Sequence, residues 1–252
     1  MKYIPLLKAI TGFVLLFACY HAAEYMMLFQ NSPTGFLGLS IVFLAAAWAI
    51  AKWQGFDGLS AWGLVFKKSA RGQLGTGLLV GICIYTLYTV TSLFLDIDRI
   101  KEIPPVTVFI SQFALFAFGT FFSSLSEDIL TRGYLYRFFH KNTKPYLLVF
   151  ISAALYVLNH IYRLTDGVAV LSYLFVIGIF LMLAMVRTGN IWLTLGLHWA
   201  GNIVYHTSHS VMHTVNGKGK FPGEILYIIF LLLLIPITWF ISQKQETGTA
   251  TK

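Results

Sequence analysis

Eight long apolar runs constrain this chain more than any other feature. They lie roughly at Pro5–Phe29, Thr34–Trp53, Gln73–Leu95, Val106–Ser126, Tyr146–Tyr162, Val168–Val186, Ile191–His206 and Ile225–Ile241. A helix needs about 20 mostly apolar residues to cross the roughly 30 Å hydrocarbon core of a bilayer. Runs of this kind predict an all-α fold, a polytopic transmembrane bundle of about eight spanning helices. Membrane β-barrel strands alternate apolar and polar residues, and these runs do not. Composition excludes the soluble and disordered classes. The chain is 57% hydrophobic and only 11% charged, against roughly 25% charged in a soluble domain.

Punctuation agrees with the runs. Pro33, Pro104-Pro105, Pro145 and Pro222 stand near helix starts, where a missing N–H costs nothing. Gly77 and Gly81 form a small-xxx-small pair in the third run, a pattern that lets helices approach closely. Phe56–Arg71 mixes apolar and basic residues and reads as a connector along the interface. The first run follows a lysine-containing start, yet it continues to about Phe29 and reads as a retained first helix. Cys19 and Cys83 both lie inside apolar runs, which supports neither a disulfide framework nor a cysteine zinc site.

The net charge of +8 reflects membrane orientation and gives no indication of nucleic acid as a partner. With both termini cytoplasmic, the inner segments carry Lys2, Lys8, Lys52, Lys67, Lys68, Arg71, Arg132, Arg137, Lys141, Lys144, Arg187, Lys244 and Lys252. The outer segments carry only Arg99, Lys101, Arg163, Lys218 and Lys220. Basic residues favour the cytoplasmic side, so the expectation is a multi-pass protein of the cell membrane with both termini inside.

Ionisable groups inside spanning segments are costly and mark functional sites. Three clusters qualify. Glu127, Asp128 and Arg132 end the fourth run; Tyr156, Asn159 and His160 lie in the fifth; His198 and Asn202 lie in the seventh. Asp128 and Arg132 are four apart and face each other on a helix. Glu127 points about 100° away from Asp128 and is left for another task. Tyr156 shares a face with His160, and His198 with Asn202. Taking the fourth helix on to about Phe139, the 1.5 Å rise places Glu127 about 18 Å from its cytoplasmic end. His160 falls about 22 Å, His198 about 12 Å and Asn202 about 18 Å from their helix starts. One carboxylate, two imidazoles and one amide thus share a broadly similar depth.

Such a set can hydrolyse a carbonyl compound. A carboxylate in an apolar pocket suits general base work. A histidine and an amide can donate to a developing oxyanion. Glu127, His160 and His198 can alternatively be read as ligands of Zn²⁺ that activates water.

The three clusters resemble the motifs of the CPBP family of intramembrane proteases, also called the Abi or CAAX-protease and bacteriocin-processing family. That pattern has two acidic residues, three spacers and Arg; an aromatic, three spacers and His; then His, three spacers and Asn or Asp. The resemblance covers roughly Phe109–Tyr205. Asp128 stands where the family usually has a second Glu, Tyr156 where it has Phe, and Thr131 where it often has an aromatic. The resemblance implies that Glu127 activates water with His160, that His198 and Asn202 polarise the carbonyl or complete a metal site, and that Asp128, Arg132 and Tyr156 support them. The implied substrate is a peptide or lipidated protein at the membrane lipid. The implied organisation is N-terminal helices and connector over 1–104, a catalytic core over 105–210, and an outer loop, last helix and cytoplasmic tail over 211–252.

Other readings compete. The same fold could be a non-catalytic immunity or partner-binding protein, or Glu127, Asp128 and Arg132 could form an ion relay; no inverted repeat supports a transporter. His206, His209 and His213 read as a wet outer loop before a metal stripe. His21 and Glu24, three apart, read as a structural contact, and Tyr85 and Tyr88 as packing residues.

Overall fold

The computed structural model describes residues 3–247, with side chains from Leu6 to Gln243. Lys2 and Lys252, which the orientation argument used, lie outside these residues, as does the Lys244 side chain. Nine α-helices run through the described residues: α1 (Tyr3–Leu28), α2 (Pro33–Trp53), α3 (Lys68–Phe94), α4 (Val106–Asp128), α5 (Tyr134–Phe139), α6 (Pro145–Asn159), α7 (Val168–Thr188), α8 (Trp192–His206) and α9 (Gly223–Thr247). α4 and α5 are one rod joined by a π-helical turn, Ile129–Gly133. The bundle therefore has eight rods, as the apolar runs predict.

Six of the rods are long and apolar enough to cross a membrane by length and composition. α6 and α8 have 15 residues each, about 22 Å at 1.5 Å per residue, so they fall short of a full crossing. The fifth run thus ends before Tyr162: α6 stops at Asn159 and the chain turns into a 3-10 segment, Ile161–Arg163. α8 extends itself by a second π-helical turn, Thr207–Val211.

Helix starts follow the proline signals. Pro33 and Pro145 occupy first-turn positions, and Ser32 caps α2 by accepting from the Gly35 N–H. The Gly77/Gly81 pair serves close packing. A Cβ on Gly77 would meet the Leu193 carbonyl oxygen of α8 at 2.6 Å, and one on Gly81 would meet Ala200 at 2.5 Å. α3 therefore seats α8, the helix that carries His198.

The connector after α2 differs from the expectation of an interfacial strip. Among its large apolar side chains only Phe66 is strongly exposed, whereas Trp62 is fully buried, stacks on Tyr134 at 4.7 Å and donates to the Ala47 carbonyl. An indole this large gains more from filling the base of the bundle than from lying at its rim. At the opposite end, β1 (Asp98–Ile100) and β2 (Thr214–Asn216) form an antiparallel pair with Arg99 opposite Val215.

Candidate active site

Two rows of side chains on α4 create the site. Thr120, Ser124, Glu127 and Asp128 turn inward and are buried, Glu127 at 7% exposure and Asp128 at 0%. The π turn that follows widens the helix and releases carbonyls from the regular ladder. Nearby hydroxyls satisfy them: Thr131 donates to the Glu127 carbonyl at 2.7 Å, and Ser152 of α6 donates to the Thr131 carbonyl at 2.9 Å. Thr131, in the position where an aromatic was expected, is thus used as a small polar brace. It also accepts from Arg132 at 2.9 Å.

Asp128 does two things. Its Oδ1 accepts from Arg132 Nη1 at 2.7 Å, as the four-residue spacing predicts, and lies 3.0 Å from Nδ1 of His198. A carboxylate oxygen accepts, so the proton of His198 sits on Nδ1. Nε2 then faces the cavity, 3.8 Å from Glu127 Oε2 and 3.3 Å from the Tyr156 hydroxyl. Arg132 is fully buried, and its guanidinium lies over the Tyr156 ring at 4.4 Å. Tyr156 is consequently clamped between the ion pair and the histidine.

Glu127 is not left alone, as the helix geometry alone implied. Its Oε1 accepts from the Tyr20 hydroxyl of α1 at 2.7 Å. Its Oε2 has no hydrogen-bond partner among the described residues and is the atom nearest His198. His160 sits at the end of α6, where its Nδ1 lies 2.8 Å from the Tyr156 carbonyl, an acceptor; this also leaves Nε2 free. It stands within electrostatic reach of Glu127 and lines the same cavity. Asn202 lines it too, donating one N–H to Ser124 at 2.9 Å. All four expected catalytic residues therefore meet at one cavity of about 980 Å³.

Among the described residues no three His, Cys, Asp or Glu side chains are placed to hold a metal ion. The hydrogen bonds that Glu127, His160 and His198 make to Tyr20, the Tyr156 carbonyl and Asp128 fall on Glu127 Oε1 and on Nδ1 of each histidine. His206 and His209 have partners elsewhere. His206 stacks on Phe116 at 4.8 Å and sits 3.1 Å from Ser210, while His209 stacks on Tyr205 at 4.5 Å.

Tyr20 and Ser124 are the residues that spacing did not reveal. Tyr20 is 107 positions from Glu127, and no helical period links them. The polar stripe Tyr20-His21-Glu24 in an otherwise apolar first helix was its only trace. His21 and Glu24 do approach, at 3.9 Å, but both His21 nitrogens lie 2.9 Å from carbonyls, those of Phe17 and Asn159. His21 therefore ties α1 to the end of α6. Tyr85 packs as expected, against Gly201, and both Tyr85 and Tyr88 also line the cavity.

Residues 109–204 match the family model described as Type II CAAX prenyl endopeptidase Rce1-like. That segment holds all three motifs, and over it the resemblance to the CPBP/Abi family stands. Comparisons with curated proteins and with solved structures give no match for the chain.

Proposed function

We propose that this chain is an intramembrane endopeptidase that hydrolyses a peptide bond of a membrane-associated or lipidated substrate, with Glu127 as the base. The family match supports a CAAX-type intramembrane protease in general. The observation that carries the finer reading is the free Glu127 Oε2 facing His198 Nε2 across 3.8 Å at the inner end of a large cavity.

The chemistry follows from the atoms. Glu127 Oε2 takes a proton from a water, and the resulting hydroxide adds to the scissile carbonyl carbon. Charge then develops on the carbonyl oxygen. Asn202 has a second N–H beyond the one given to Ser124, and this N–H donates to that oxygen; His198 donates when Nε2 is protonated. The tetrahedral intermediate collapses, the C–N bond breaks, and Glu127 returns its proton to the leaving amine. His160, with Nε2 free, assists proton movement at the water. Tyr20 fixes Glu127, and Asp128 fixes His198.

The test compares protein termini in membranes of cells that express the wild-type chain or Glu127→Gln at equal abundance. Gln keeps the shape and loses the base. Termini present with Glu127 and absent with Gln support hydrolysis and identify the substrates. Identical termini, with the variant folded, overturn the mechanism and favour the non-catalytic partner-binding reading.

A further inference from the structure

The cavity runs from Glu127 to the end of the bundle that carries the β1–β2 pair, the face with few basic residues. Its walls come from the C-terminal halves of α1, α3 and α8 and the N-terminal halves of α2, α7 and α9. Each of these half-helices points to the end that carries the β1–β2 pair. Asp98, Asn216, Gly217, Gly219 and Phe221, in and beside that pair, line the mouth. The other end is closed beneath Glu127. Leu130, Arg132 and Trp62 are fully buried there, and Trp62 stacks on Tyr134.

The two faces differ sharply in charge. The closed face presents exposed Lys52, Lys67, Lys68 and Arg71 around the α2–α3 connection, and Arg137, Lys141 and Lys144 around the α5–α6 turn. At the open face the α1–α2 turn has no basic residue. This face carries exposed Lys101, Lys218 and Lys220, and its two arginines are compensated at once: Arg99 pairs with Asp96, and Arg163 with Asp166 at 3.0 Å. Short loops rich in Lys and Arg stay in the cytoplasm. Their position fixes the closed end inside and the mouth outside.

We infer that Glu127 is reached from the non-cytoplasmic side, so the segment cut is one that protrudes from the outer face of the membrane, as in an exported peptide or an outward-facing stretch of a membrane protein. The inference rests on the proteolytic reading only for the word "cut"; the sidedness stands on geometry and charge. A lipidated tail confined to the cytoplasm would meet the closed end.

The experiment separates the two parts. In a chain with Cys19 and Cys83 replaced by Ala, single cysteines are introduced at three places. Lys220→Cys is beside the mouth, Lys141→Cys is on the closed face, and Gly119→Cys is inside the cavity, where an added Cβ meets nothing within 4 Å. A membrane-impermeant thiol reagent is added to intact cells and to permeabilised cells. Labelling of Lys220→Cys and Gly119→Cys in intact cells, with Lys141→Cys labelled only after permeabilisation, supports the inference. The opposite pattern overturns it, as does Gly119→Cys left unlabelled in both states. The Glu127-dependent termini provide the second readout. If they map to outer segments, both parts hold; if they map to cytoplasmic segments, the sidedness falls. Outward labelling with no such termini removes the protease reading and leaves the outward cavity.

Discussion

At the residue scale, the site works by fixing one atom of each reactive group and turning the other to the cavity. Glu127 is held at Oε1 by Tyr20 and open at Oε2; His198 is held at Nδ1 by Asp128 and turns Nε2 to the cavity beside the Tyr156 hydroxyl. Tyr20→Phe removes only the hydroxyl, and the ring keeps its contacts with His21 and Phe43. A hydrogen bond to a charged group contributes about 1.5–3 kcal/mol, so kcat should fall about tenfold to a hundredfold. KM and thermal midpoint should change little. Steady-state kinetics and thermal unfolding in detergent check this together. Arg132→Met makes a different case. It strands the fully buried Asp128, and breaking such a pair by removing one partner costs about 3–5 kcal/mol. The double variant Asp128→Leu with Arg132→Met removes both charges and should recover much of the thermal midpoint. It should stay inactive, because the carboxylate that holds His198 at Nδ1 is then gone. If activity returned with stability, Asp128 would be only a structural counter-ion.

At the element scale, the close approach of α3 and α8 sets the register of His198 against Glu127. Gly77 meets the backbone of Leu193, Gly196 and Leu197, where a larger side chain has no flexible neighbour to displace. Gly77→Val should therefore shift α8, lower the thermal midpoint and reduce turnover more than tenfold, since a shift of about 1 Å can cost 10²-fold in rate. Leu79 on the same helix faces outward and is exposed, so Leu79→Val serves as the control and should leave both nearly unchanged. Which parts of this arrangement were legible in the sequence follows from the range of each signal. The pairs Asp128/Arg132, Tyr156/His160 and His198/Asn202 each lie within one helix, where a four-residue spacing has a fixed geometric meaning. The Gly77/Gly81 pattern was legible for the same reason. The π turn at Ile129–Gly133 was not, because its stability comes from Thr131 and Ser152 supplying donors across helices, not from local propensity. The early end of α6 was hidden too. No Gly or Pro stands at Asn159-His160, and the break is held by His21 of α1 reaching the Asn159 carbonyl.

At the scale of the whole molecule, the bundle joins a reaction that needs water to surroundings without it, and one cavity does this. The apolar runs predicted the helices and the charge bias predicted two unlike faces, yet neither could show an interior space, because a cavity is a property of how eight rods meet. The connector shows the same limit: composition placed Phe56–Arg71 at the rim, and the shape of the bundle drew Trp62 into its base. If the cavity is the route to Glu127, filling it should stop turnover with the catalytic groups untouched. Gly119 offers the place, since it lines the cavity and an added Cβ meets nothing within 4 Å. Gly119→Ala should be silent or slightly stabilising, because alanine favours a helix by about 1 kcal/mol over glycine. Gly119→Trp should keep the thermal midpoint within a few degrees and lower kcat/KM severely. The loss should be greater for a long membrane-embedded substrate than for a short soluble peptide carrying the same scissile bond. Equal loss for both would mean that the indole reaches the reacting groups themselves. No loss for either would mean that substrate approaches Glu127 by another path, through the lipid-facing side of the bundle.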